Sequence, residues 1–322
     1  MGRGKNAVNA QLVPFGPDLA EPLALAREAL WANPVAGEDP GEHWPGLEAR
    51  IRERTTIGGV WTRGSTALGI ALWNPPGALG VAVGLLYLRP GEASPVEYRA
   101  LLAAVARSAG PLAFVSSPLS GLSPGDEEET MRALGFAPYA RSEMTYSFAG
   151  NEGPRSTPVA LRVRPFRPDD VAAAAEIHER AYEGRFDRYL FLEDPDPSRD
   201  ARALVTDLVR GRWGEFLADA SMVVEENGRP VGSTLVVRTP RGPLVADVAT
   251  EPAHAGRGVG RAALEGTLGA LRARGEGLVR LAVTEGNARA VALYEKVGFV
   301  RNLGPSREWY HTARIPVSPS SD

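Results

Sequence analysis

The chain repeats itself at long range. Val13-Pro14-Phe15-Gly16-Pro17-Asp18 resembles Arg164-Pro165-Phe166-Arg167-Pro168-Asp169, with Pro14 and Pro165 separated by 151 positions. Leu134-Gly135-Phe136 resembles Val297-Gly298-Phe299 at a separation of 163. Two separations that differ only by loop-sized amounts, in a chain of 322 residues, point to two copies of one fold. Between them, Ala149 to Pro158 loses apolar periodicity and gathers Gly, Pro and polar residues, which reads as a linker. The expected division is therefore 1–149, a linker over 150–158, and a second domain over 159–315, with a disordered tail over 316–322.

The element order in the two halves agrees. In the second half, a short strand at Ala160 to Arg164 precedes a helix from Val171 to about Tyr182, with Asp169 or Asp170 as its cap. A second helix is expected over Arg199 to Trp213, with Trp213 on its apolar side. Ser221 to Glu226 and Pro230 to Arg238 read as strands joined at Asn227-Gly228, a dipeptide suited to the positive φ angles of a tight hairpin turn. A strand at Leu244 to Thr250, a helix at Gly258 to Arg274, a strand at Leu278 to Val283 and a helix at Asn287 to Val297 follow. The first half offers helices near Asp18–Trp31 and Gly46–Arg54, then strands near Ile57, Ala67 and Val81. A helix at Pro95–Ser108, a strand at Leu112–Val115, a helix at Asp126–Leu134 and an extended Tyr139–Phe148 complete it. Both halves read as mixed α/β (α+β), each a mostly antiparallel sheet flanked by helices.

The segment Thr250-Glu251-Pro252-Ala253-His254-Ala255-Gly256-Arg257-Gly258-Val259-Gly260-Arg261 carries the chemistry. A strand ends, glycines alternate, and a helix begins. Glycines let backbone N–H groups face one concavity, and a helix N-terminus adds unpaired donors and partial positive charge. Such a cradle suits phosphate or pyrophosphate, and Arg257 and Arg261 offer charge-assisted bonds. A Walker A loop is excluded, because no Gly-Lys-Ser/Thr follows. A dinucleotide fingerprint fits Gly258-Val259-Gly260-Arg261-Ala262-Ala263 locally. It is opposed by the long loop, the preceding hairpin and the short chain remaining after Val283.

The glycine loop, together with Asn287, Ala290, Leu293, Tyr294, Gly298 and Phe299, resembles the GNAT superfamily of acetyl-CoA-dependent N-acetyltransferases. Its signature R/Q-x-x-G-x-G/A is matched at Gly258 and Gly260, with Ala255 at the R/Q position. Its later N-x-x-A-x-x-L-Y-x-x-x-G-F is matched in full. The whole chain resembles the tandem arrangement of which mycothiol synthase is one example. The resemblance implies an N-acetyltransferase passing an acetyl group from acetyl-CoA to a primary amine by direct attack. It places cofactor contacts at Val248, Ala249, Thr250, Ala255, Gly256, Arg257, Gly258, Val259, Gly260, Arg261 and Asn287. Tyr294 would be the general acid, with core packing as its other reading. Asp247 is the candidate base, with an ordinary strand carboxylate as the alternative, and Glu285 ranks behind it. Some family members carry a base glutamate where this chain has Ala282. Asn287 suits both a contact to the CoA arm and an N-cap, and Gly298 the left-handed end of that helix.

Composition narrows the remaining classes. With no cysteine there is no disulfide, thiolate metal site or cysteine nucleophile. His43, His178, His254 and His311 lack metal-ligand spacing, and His254 reads as a loop residue. A net charge of −3 gives no field to draw in nucleic acid or an anionic membrane. No apolar run reaches the length of a membrane span, and the start lacks a signal-peptide core, so a cytoplasmic protein is expected. The expected partner is a small-molecule or peptide amine, held near Tyr182 to Leu192 and the facing domain. Acidic runs at Glu193 to Asp200 and Asp126 to Glu129 read as solvated, with attraction of a cationic amine as the other reading. A homodimer stays open. After Leu88, the first half offers only Arg89-Pro90-Gly91-Glu92-Ala93-Ser94-Pro95, a poor amide cradle, and is expected to be structural or to shape the substrate pocket. A non-catalytic CoA-binding protein is the rival reading.

Overall fold

The computed structural model describes residues 10–33, 39–150, 161–190, 197–302 and 306–319. In chain order the first part runs β1 (Gln11–Pro14), α1 (Ala20–Ala32), α2 (Pro40–Arg52), β2 (Ile57–Arg63), β3 (Thr66–Trp73), β4 (Val81–Leu88), α3 (Pro95–Ala109), β5 (Leu112–Val115), α4 (Pro124–Ala133) and β6 (Phe136–Ser147). The second runs β7 (Arg162–Pro165), α5 (Val171–Tyr182), α6 (Pro197–Val209), β8 (Glu215–Phe216), β9 (Met222–Glu226), β10 (Arg229–Thr239), β11 (Gly242–Thr250), α7 (Val259–Ala273), β12 (Leu278–Thr284), α8 (Ala288–Val297), β13 (Val300–Arg301) and β14 (Ser306–His311).

The chain forms two compact units that the linker does not separate. One comprises residues up to Tyr139 together with Arg307–Pro316; the other is essentially Ala140–Ser306. In the first, the strands lie in the order β1-β2-β3-β4-β5-β14, all neighbours antiparallel except the parallel β4 and β5. In the second, the order is β7-β9-β10-β11-β12-β6, again with one parallel pair, β11 and β12. Each half of the chain thus gives its final strand to the other half's sheet. The division at 149 and 159 expected from sequence is corrected accordingly: Ala140–Ser147 belongs with the second unit and Arg307–His311 with the first. A repeat reveals the order of elements but not the sheet edge on which the last strand lands. The linker lies largely outside the described residues, as does the end of the tail from 320.

Burial shows how firmly the exchanged strands are held. Trp309 is fully buried in the first unit's core beside Trp61, Leu101, Val115 and Phe136. Met144 and Tyr146 sit in the second unit's core with Leu281, Tyr294 and Phe299, the Tyr146 and Phe299 rings 5.6 Å apart.

Local chemistry explains most element ends. Asn227 and Gly228 take φ of +52° and +76° in the β9–β10 turn. Asn287 Oδ1 accepts the Ala290 N–H at 3.0 Å, and Gly298 ends α8 at φ +110°. Two expectations fail and a third holds only in position. Asp170 occupies the N-cap of α5 but gives the helix no side-chain cap; its carboxylate takes the Arg167 N–H and both terminal nitrogens of Arg164, closing a short 3-10 turn ahead of the helix. The second helix stops at Val209, because Gly211 turns the chain at φ +79°, and Trp213 is left half exposed. Asp39, capping Gly41 at 2.8 Å, starts α2 six residues before the expected Gly46.

Candidate active site

The site of the second unit begins with a sheet defect. β11 and β12 are parallel neighbours but share one register pair, Leu244 opposite Arg280. Beyond that point the strands part, and Val245–Val248 on one side and Leu281–Thr284 on the other line a cavity of about 50 Å³. The β10–β11 ladder is also bulged: Leu235 faces Asp247 while Val236 faces Val245, so Ala246 is the extra residue. A bulge re-aims neighbouring side chains, and it falls beside Asp247.

A second, larger cavity of about 540 Å³ adjoins the first, and both are lined by Tyr182, Val248, Asn287, Ala290 and Tyr294. The glycine loop forms one wall of the larger cavity, with Thr250, Ala255, Gly256, Gly258, Val259, Gly260 and Arg261 all contributing. Gly256 and Gly258 have φ of +78° and +85°, conformations that side chains disfavour. A Cβ at Gly260 would lie 3.2 Å from Leu293 Cδ2 and 3.3 Å from Thr250 Oγ1, so a side chain there would fit only tightly. Gly258 is the N-cap of α7, with no side-chain cap and no acidic residue in the first turn. An uncapped helix start of this kind leaves backbone N–H groups that suit an anion.

Two residues expected as cofactor contacts, Ala249 and Arg257, do not line either cavity. Ala249 is fully buried and lines neither cavity, because strand side chains alternate and Val248 and Thr250 hold the groove side. Arg257 is also absent from the wall; its guanidinium binds Glu226 at 2.6 Å, and the same carboxylate lies 3.0 Å from His254 Nε2, bracing the loop. Arg261 is partly neutralised by Glu265 at 2.8 Å. The cationic wall comes instead from Arg289 and Lys296 of α8, neither ion-paired among the described residues. They were readable in principle, since seven residues bring a helix back to the same face.

At the junction of the cavities, Asp247 is 4% exposed. Its Oδ1 lies 3.0 Å from His178 Nδ1 and accepts from the Tyr182 hydroxyl at 3.3 Å, whereas its buried Oδ2 has no hydrogen-bond partner among the described residues. The His178 and Tyr182 rings, one helical turn apart on α5, stack with centroids 4.4 Å apart. Sequence reading missed His178 in this role, because only the fold sets it against Asp247. Of the pocket region expected at 182–192, Tyr182, Asp187 and Leu190 line the small cavity, while 191 and 192 lie outside the described residues.

Tyr294 is 8% exposed and lines both cavities. Burial, and next the negative charges of Asp247 and Asp187, push its phenol well above its ordinary pKa. Tyr182 is raised for the same leading reasons, burial and then Asp247. Asn287 acts as an N-cap, and its amide nitrogen is engaged as well, donating to Asp187 at 2.8 Å. Glu285 is drawn away: Arg301 at 3.0 Å is the main cause holding its carboxyl below the usual range, Ser142 adds a bond, and it lines neither cavity. Ala282 lines the small cavity. No group of three potential metal ligands occurs among the described residues, and none of their helices is long and apolar enough to cross a membrane.

The model of the GNAT acetyltransferase family matches residues 175–299, spanning most of α5, the glycine loop and α8. This segment is a GNAT acetyltransferase domain. Across the whole chain, the fold is similar to that of a GCN5-related N-acetyltransferase from Sphaerobacter thermophilus, with 17% identity, 98% of each chain covered and a TM-score of 0.65. A tandem GNAT protein from the clavulanic acid biosynthesis pathway is similar at 18% identity and a TM-score of 0.55, over 94% of this chain and 97% of that one. No curated protein matches the chain in sequence. The chain therefore has a tandem GNAT-like fold, and GNAT proteins are acyltransferases that generally use acetyl-CoA.

Proposed function

We propose that this protein transfers an acetyl group from acetyl-CoA to a primary amine, with the chemistry in the second unit. The observation that carries the reading is the place of Tyr294, at the wall shared by the glycine-loop groove and the Asp247 pocket. The groove fits CoA: an uncapped helix start and close-approaching glycines suit the pyrophosphate, and Arg289 and Lys296 add positive charge. Val248 and Thr250 face the groove and would align the pantetheine arm along β11. Bound acetyl-CoA supplies an electrophilic thioester carbon and a thiolate leaving group. Asp247 Oδ2, buried and without a hydrogen-bond partner among the described residues, would accept the proton of the incoming ammonium; as the freed amine forms the C–N bond and the C–S bond breaks, Tyr294 would give its proton to the departing sulfur. His178 and Tyr182 fix the orientation of Asp247 through its other oxygen.

The first unit takes no part in holding CoA. At the corresponding helix start, Ser94 caps α3 by accepting the Glu97 N–H at 3.2 Å, and Pro95 removes a donor. Glu97 adds a carboxylate in the first turn, held by Trp61 and Arg63. Calorimetric titration with acetyl-CoA is expected to give one site per chain; two sites would refute this division. Gly258→Val is expected to weaken CoA binding by about tenfold or more, since a β-branched side chain resists φ near +85° and intrudes on the cradle. An unchanged dissociation constant would take Gly258 out of the site.

Release of free CoA thiol in the presence of amines separates this reading from a non-catalytic CoA-binding protein. If acetyl-CoA binds but no amine or peptide accelerates thiol release, the acyl-transfer proposal fails.

A further inference from the structure

We infer that the acceptor is a zwitterion: an amine that carries a carboxylate a few bonds from the reacting nitrogen, held between Asp247 and Arg141. This deepens the acetyl-transfer reading above and rests on it for the identity of the reacting group.

Three buried polar side-chain atoms around the small cavity have no hydrogen-bond partner among the described residues: Asp247 Oδ2, Thr284 Oγ1 and Arg141 Nε. Asp247 and Thr284 are 4% and 3% exposed. Buried polar atoms are ordinarily satisfied, so three orphans around one cavity describe a ligand rather than a packing accident. Their chemistry specifies it. A carboxylate oxygen only accepts, a guanidinium nitrogen only donates, and a hydroxyl does either. A simple amine satisfies Asp247 and leaves Arg141 idle, whereas a zwitterion satisfies both ends, with Thr284 free to bond the carboxylate.

The sheet places the three atoms to act together. Asp247 lies three residues past Leu244 on β11, and Thr284 four past its partner Arg280 on β12, so at roughly 3.3 Å per residue both stand at similar height across the parted strands. Arg141 on β6 is the cross-strand partner of Thr284. Its neighbours Arg241 and Arg280 are both spent on Glu143, at 3.0 and 3.1 Å, but Arg141 has no ion pair among the described residues. Water filling the cavity would supply hydrogen bonds without pairing that charge. Arg141 also comes from the first half of the chain, so the strand exchange completes the acceptor site as well as the sheet.

The test is calorimetric titration of the full-length protein saturated with CoA. The α-amino acids, β-alanine and γ-aminobutyrate are compared with the amines left when each loses its carboxylate. At least one zwitterion is expected to bind about tenfold or more tighter than its decarboxylated counterpart. Arg141→Gln should draw that ratio toward one, Arg141→Lys should keep part of it, and Thr284→Val should reduce it without a change of charge. The inference is overturned if no zwitterion outbinds its counterpart, or if the ratio survives in Arg141→Gln. Parallel thiol-release assays separate the two readings. Zwitterion binding without thiol release under acetyl-CoA sinks acetyl transfer but not this site; release driven equally by plain amines sinks this site but not acetyl transfer.

Discussion

Tyr294→Phe is expected to lower kcat by about 10²–10⁴-fold, the range a positioned proton donor contributes, while CoA affinity stays within about twofold. The substitution removes one oxygen and keeps the ring, so the packing of Tyr294 against Phe299, with centroids 6.0 Å apart, survives. The hydroxyl's value lies in its protonation. Burial and the nearby Asp247 and Asp187 charges hold the phenol above its ordinary pKa, so it enters the reaction protonated across the neutral range. The same effect disfavours a lasting phenolate, which suits a group that gives its proton to sulfur and regains one promptly. Single-turnover kinetics with the enzyme in excess over acetyl-CoA isolate the chemical step from product release. An unchanged kcat would return Tyr294 to the core residue that its helical spacing with Ala290 and Val297 also permits.

How much of this was legible in the sequence depended on the range of the interaction. The glycine loop could be read because a left-handed backbone leaves its mark at the residue itself, as at Gly256 and Gly258. Asn287 and Gly298 could be read because caps act within four residues. The His178–Asp247 contact spans 69 positions and joins a helix to a strand, so nothing local announces it. Arg141 was less visible still. Its relevance follows from β6 pairing with β12, a pairing that the repeat argued against by assigning each half its own last strand. Asp247 was singled out on its place in an apolar strand, but the β11–β12 divergence that opens the cavity beside it comes from pairing.

Separate expression of 1–149 and 159–315 is expected to give two fragments that do not fold, whereas cutting the intact protein once within 151–158 should leave it folded and able to bind CoA. Without its exchanged strand the first fragment loses Trp309, fully buried, and Tyr310, 7% exposed. Truncation of a buried aromatic alone costs about 3–5 kcal/mol, against a total stability of about 5–15 kcal/mol for an ordinary domain. The second fragment fares no better. β12 pairs with β6 from Leu278 to Thr284 but with β11 only at Leu244 and Arg280, so removal of Ala140–Ser147 frees almost the whole strand. Met144 and Tyr146 leave the core with it, and β12 becomes an unpaired edge open to aggregation. The wall of the small cavity is lost at the same time, since Leu281–Thr284 belong to that strand. Co-expression of the two fragments should restore both units, because each exchanged strand again finds its sheet. Circular dichroism and size-exclusion chromatography read the result: a cooperative unfolding transition and full-length CoA affinity from 159–315 alone would disprove the exchange.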